Sequence, residues 1–125
     1  MLIVHPGHEL QIDLKSGLAS RRADECGRRV HTHSRLGRRE RAVLSYLARR
    51  PNRIVSRQEL QDAVFHDRAN GTAALTHSIG QIRQLLTEVE RSGKCLMTIY
   101  GEGYLFAPAK SGLQLVADVQ AGDPS

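Results

Sequence analysis

Leu75, Ile79, Ile82, Leu86 and Val89 recur at steps of 4, 3, 4 and 3, a spacing that only a helix gathers onto one face. A strand would turn Leu75 and Ile82 to opposite sides of its sheet. The segment from about Thr72 to Arg91 therefore predicts a long helix that buries a narrow aliphatic seam. At about 100° per residue, the face opposite that seam holds Ala73, His77, Gly80, Gln81, Gln84 and Glu88, with Thr76 and Arg83 on its flank. It is polar but nearly uncharged.

Two shorter helices precede it. Val43, Leu44 and Leu47 predict one over about Arg38 to Arg49, stopped by Pro51. The cations at its end complement the negative pole of the helix dipole. Ser56-Arg57-Gln58-Glu59 has the form of a capping box, in which Ser56 accepts from the Glu59 amide and the Glu59 side chain turns back to Ser56. A second helix then starts at Arg57, with Leu60, Ala63 and Val64 as its apolar stripe, and the polar run from His66 to Gly71 ends it.

Around the helices the period is that of strands. Leu10, Ile12 and Leu14 alternate with Gln11 and Asp13, predicting a strand over Glu9 to Leu14 and a turn at Lys15-Ser16-Gly17. A weaker strand follows at Leu18 to Arg22, then a polar loop over Ala23 to Gly27 and a third strand over Arg29 to Leu36. Beyond Gly93-Lys94, Leu96 to Tyr100 and Tyr104 to Phe106 form a hairpin around Gly101-Glu102-Gly103. Tyr104 and Phe106 are expected in the core under that sheet, and Tyr46 and Phe65 between helices. Leu113, Leu115 and Val116 suggest one more short strand.

At 125 residues the chain suits one domain with a real core and excludes a multidomain enzyme. Its start, Met1 to Pro6, lacks a basic leader and a long apolar run, and no stretch approaches a membrane span, so no membrane contact is expected. Cys26 and Cys95, far apart and without a CxxC partner, are expected as free thiols in a reducing compartment, a bacterial cytoplasm. The net charge of +5 is unevenly spread, +8 over residues 1–57 and −3 over 58–125. An arginine-rich half of that kind points to a polyanion, with nucleic acid as the first candidate.

Strands, three helices of which the last is longest, and a closing hairpin make the order of an α+β winged helix-turn-helix. Residues 1–36 would form its N-terminal antiparallel sheet, 37–92 the three helices and 95–107 the wing. Together 1–108 would be the domain, and 109–125 a tail. Leu36-Gly37-Arg38-Arg39-Glu40 resembles the L-T-x-x-E entry to the first helix of the OmpR/PhoB-type effector domains, a group that includes the ToxR and CadC regulators. Pro51 to Leu60 is similar to their P-x-x-x-V-S-R-x-x-L, Ile79 to Leu86 to the I-x-x-L-R-x-x-L of their recognition helix, and Thr98 to Tyr104 to the T-V-R-G-x-G-Y of their wing. Four motifs in order span residues 36–106.

The resemblance implies a sequence-specific regulator of transcription that lays its third helix in the major groove of double-stranded DNA and sets its wing against the neighbouring backbone or minor groove. It also implies a homodimer on tandem half-sites, and contact with RNA polymerase through the loop at 66–71. Gln81 and Gln84 carry amides suited to adenine, His77 can donate or accept, and Gly80 allows close approach. Thr72 and Thr76 are placed for phosphate, Arg83 matches the family's recurrent arginine as a phosphate clamp, and Thr98 and Tyr100 occupy the wing. Two departures stand out: Tyr100 replaces the usual basic wing residue, with Glu102 at the tip, and Gly80 and Gln81 stand where arginines are common. Arg35, Arg38, Arg39, Arg41, Arg49, Arg50, Arg53 and Arg57 can supply compensating charge, with Arg53 and Arg57 expected nearest DNA.

Other chemistries have less support. His31 and His33 form an H-x-H pair with Cys26 nearby, and His5 and His8 add imidazoles, but no full metal-ligand pattern exists and none is assigned. No phosphate loop, nucleophile motif or carboxylate pair points to an enzyme or a cofactor. The competing assignment is a winged helix that binds protein, a modulator of a regulator or of RNA polymerase, to which the acidic wing tip and charge-poor third helix would also suit.

Overall fold

The computed structural model describes residues 1–5, 10–25, 27–65, 71–87 and 95–116. Its elements run β1 (Leu2–His5), β2 (Leu10–Asp13), β3 (Leu18–Glu25), β4 (Arg28–Arg35), α1 (Arg38–Ala48), β5 (Ile54–Val55), α2 (Arg57–Val64), α3 (Gly71–Thr87), β6 (Leu96–Ile99), β7 (Gly103–Phe106), a 3-10 turn (Pro108–Ser111) and β8 (Gln114–Val116). This is the expected α+β winged helix, with the first four strands ahead of the helices and a hairpin behind them.

The first sheet is antiparallel in the order β4-β3-β2-β1-β8. Alternation along β2 is as expected, with Leu10 and Ile12 buried and Gln11 exposed. The sequence was silent on β1, whose four residues are too few to set a period, although Ile3 is fully buried. The polar segment from Ala23, expected as a loop, instead extends β3. Ala23, Asp24 and Glu25 pair with Val30, Arg29 and Arg28, a register that sets acidic positions of one strand opposite basic positions of the other, a pairing that stabilises antiparallel sheets. The strand hinted at by Leu113 and Leu115 is β8, which pairs Leu115 with Ile3 and Val116 with Leu2. Leu113 itself is buried, so residues assigned to the tail add to the first sheet.

The second sheet, β5-β7-β6, holds the wing. Its two-residue member β5 pairs Val55 with Tyr104 at the start of β7. Gly103 is required there: it sits at φ +148, and a Cβ would come within 2.1 Å of the Val55 carbonyl oxygen.

α1 and α3 turn the predicted side inward, whereas of the stripe predicted for α2 Leu60 is buried, Val64 half-buried and Ala63 exposed, the helix being too short to bury more than one turn against its neighbours. Leu75, Ile79, Ile82 and Leu86 of α3 are buried with Val43, Leu44 and Leu47 of α1, Leu60 of α2, and Tyr104 and Phe106 of the wing. Truncating one such leucine or isoleucine to alanine costs about 2–5 kcal/mol. The capping box is half formed. Ser56 Oγ accepts from the Glu59 amide at 3.0 Å, but the Glu59 carboxylate does not return to Ser56. It accepts instead from Tyr46 OH at 2.5 Å and from Arg53 Nη2 at 3.1 Å to each oxygen. Arg50 lies over the Tyr46 ring, 3.7 Å from its centroid, and donates to the Tyr46 carbonyl at 3.1 Å. The cation expected at the end of α1 thus satisfies one of the helix's last carbonyls.

Candidate nucleic-acid interface

The aliphatic seam fixes the rotation of α3, and rotation decides what faces out. Ala73, Thr76, His77, Gly80, Gln81 and Gln84 are all exposed, forming a ridge on which Thr76, His77, Gln81 and Gln84 carry hydrogen-bonding groups. Gly80 lies at its centre with nothing within 4 Å of where a Cβ would stand. The fold thus gives no steric reason for glycine there, at a cost of about 1 kcal/mol relative to alanine. Thr72 lies in the first turn of α3, and its side chain is outside the described residues, as is Glu88.

Each flank of α3 is tied to a different part of the domain. On one side Arg83, half buried, donates from Nε to the Leu96 carbonyl at 3.2 Å and from Nη2 to Thr98 Oγ1 at 2.6 Å. This arginine, expected as a phosphate clamp, has its guanidinium engaged by β6, and Thr98 is its partner. On the other side Ser78 Oγ, 1% exposed, donates to Glu40 Oε2 of α1 at 2.7 Å. Burial leaves the hydroxyl no water, and the carboxylate replaces it.

Two open clefts follow that second flank. One, of about 310 Å³, runs between Arg35 at the end of β4 and His77, Gln81 and Gln84. The other, about 510 Å³, runs between Arg38 and Arg39 of α1 and Ala73 and His77. A third cleft of about 390 Å³ separates the start of α2, at Arg57 and Gln58, from Tyr100 and Glu102 at the wing turn. Tyr100 is 91% exposed, so its ring contributes nothing to the core. Arg57 lies 5.7 Å from the centroid of the buried Tyr104 ring.

Arg53 is the expected residue most altered by its surroundings. Its link to Glu59 belongs to a cluster in which the Tyr46 hydroxyl, then Arg53 and Arg50, hold the Glu59 carboxyl below the usual carboxylate range, while the bond to Glu59 raises the Tyr46 phenol. Sequence reasoning placed Arg53 by its position before α2 and missed this partner six residues away. It also missed Ser78, which lies off the apolar seam. Among the described residues no group of three or more His, Cys, Asp or Glu could hold a metal. Of the histidine and cysteine set considered earlier, Cys26, His8 and the His31 side chain lie outside the described residues. Cys95 is buried and forms no disulfide with a described residue. No helix among the described residues is long and apolar enough to cross a membrane.

Known proteins bear on this arrangement in three ways. The family model described as "Transcriptional regulatory protein, C terminal" matches residues 31–106. Among curated proteins, the cholera toxin transcriptional activator of Vibrio cholerae is 33% identical over 72 residues, covering 56% of this chain and 24% of that protein. The cholera toxin homolog transcriptional activator of Vibrio parahaemolyticus is 32% identical over 72 residues, 56% of this chain and 25% of its own length. This chain thus matches about a quarter of the length of those relatives. Among solved structures, the DNA-binding domain of Escherichia coli CadC superposes with a TM-score of 0.64 at 20% identity, over 92% of this chain and 96% of that one. The AdeR response-regulator DNA-binding domain, solved with an intercistronic region, gives 0.54 at 18% identity over 78% and 93%.

Proposed function

The chain belongs to the transcriptional regulatory protein C-terminal family, the OmpR/PhoB-type DNA-binding domains, and from that premise we propose that it recognises specific sequences in double-stranded DNA by seating α3 in the major groove. The observation that carries this reading is the exposed ridge of His77, Gly80, Gln81 and Gln84 opposite a fully buried seam. A bare helix backbone at Gly80 lets the two glutamine amides approach base edges, where a bidentate amide pairs with adenine.

Thr76 at the flank would meet phosphate, with Thr72 a turn earlier. Arg83 acts by holding the wing to α3, and Thr98 receives it. Tyr100 and Arg57 border the wing cleft, where an aromatic ring can lie along a sugar-phosphate chain. Arg53, half committed to Glu59, contributes field more than contact. Such a domain acts by occupancy and needs no catalytic group or cofactor. Pairing of two copies on tandem half-sites, contact with RNA polymerase through 66–71, of which 66–70 lie outside the described residues, and a cytoplasmic setting belong to the same reading.

The test is selection of sites from a random duplex pool, followed by titration with salt. The wild-type chain should enrich one motif and bind it with steep salt dependence, whereas Gln81→Ala should relax preference at one or two base pairs, each worth about 1–3 kcal/mol. A chain that enriches no motif and whose DNA binding ignores salt would be a protein-binding winged helix instead.

A further inference from the structure

Among the described residues, some guanidinium groups are held by the fold and others are not. Arg41 donates to the Lys15 carbonyl at 3.1 Å, Arg50 and Arg53 engage Glu59, and Arg83 is bonded to β6. Arg35 and Arg38 hold no hydrogen bond or ion pair to any described residue, and Arg39 only faces the Phe65 ring, 5.6 Å from its centroid. All three are exposed. They also lie together along one flank of α3, lining the two clefts shared with His77, Gln81 and Gln84.

We infer that Arg35, Arg38 and Arg39 form a phosphate rail: they grip the DNA backbone on the side of the major groove away from the wing. The inference rests on the docking proposed above and adds to it the source of affinity. A helix inserted in the groove has a phosphate chain on each side. On the wing side Arg83 is already engaged, and Tyr100 and Glu102 bring no cation to the turn. On the other side three cations stand beside one anion among the described residues, Glu40, whose Oε2 is occupied by Ser78. Exposed positive charge facing the groove wall, with no ion pair to a described residue to displace, is what phosphate binding requires. Arg53, favoured from sequence, lacks that freedom, and Arg57, which like Arg39 faces a ring, is the single cation lining the wing cleft.

Each phosphate neutralised contributes about −0.9 to the log–log slope of affinity against salt. The variant Arg35→Gln/Arg38→Gln removes two exposed guanidiniums that hold no hydrogen bond or ion pair to a described residue, so its thermal unfolding should match wild type. On a mixed-sequence duplex of about 30 base pairs its slope should become shallower by roughly 1.8, and site selection should return the wild-type motif. Arg35→Lys/Arg38→Lys, which keeps the charge, should restore most of the slope. Arg49→Gln is the control, an exposed arginine about 16 Å along α1 from Arg38, and its slope should shift by well under half that amount. If the wild-type slope is steep and the double variant changes it no more than the control does, the rail is wrong while the docking stands. If the wild-type chain shows no salt-dependent binding to duplex DNA, both fall.

Discussion

Replacing Gly80 with alanine separates stability from recognition in one substitution. Gly80 is the tenth of the seventeen residues of α3. An added Cβ would meet nothing within 4 Å, so the change should act through helix propensity alone in the free protein. Glycine to alanine in a helix interior is worth about 0.8–1.0 kcal/mol, which for a domain of this size raises the melting temperature by about 3–6 °C. On DNA the sign reverses. A methyl group pushed into a closely packed contact costs ~1–3 kcal/mol, equivalent to affinity weakened by about 5- to 150-fold. Thermal melting by circular dichroism and fluorescence anisotropy on a selected duplex read the two effects independently. A lower melting temperature would refute the open environment of Gly80, and a raised melting temperature with undiminished affinity would refute its place at the DNA surface.

Arg83→Ala should weaken binding to all sites about equally. Because it leaves the Leu96 carbonyl and Thr98 hydroxyl without their charged donor, it should also lower stability by about 1–3 kcal/mol in urea unfolding; stability equal to wild type would show that Arg83 does not hold the wing. The Glu59 cluster should appear in acid. Its folded pKa is depressed by Tyr46 OH and the neighbouring arginines, so its contribution is complete above the unfolded value of about 4.3 and is lost as pH falls through the folded one. Glu59→Gln should therefore be less stable than wild type at neutral pH, with the gap closing toward pH 3. A gap independent of pH would mean that the charge does not matter.

What the sequence revealed depended on whether a stabilising pattern is local. The α3 seam was legible because Leu75, Ile79, Ile82 and Leu86 repeat within one element, and so was the amide ridge as its geometric complement. The Ser56 cap lay three residues from its partner and was equally plain. The outer half of β3 was not, since Asp24 and Glu25 look like loop residues until Arg29 and Arg28 face them across the strand. Arginine roles were least accessible. Arg53 and Arg35 are chemically identical in a sequence, and only the fold gives one a carboxylate and leaves the other beside the amide ridge. Sequence position suggested where positive charge gathers; tertiary pairing decides which of it remains available.

The hydrogen bonding of β8 to β1 joins strands that lie more than one hundred residues apart. On a ribosome, β1 must wait with its edge toward β8 open until Val116 has followed it, so this sheet cannot close until the whole domain has been made. A cut placed before Leu113 would strip that edge permanently, leaving Ile3 and Leu2 as an adhesive border for other chains. Fragments for study should therefore extend through Val116, because the last strand seals the first.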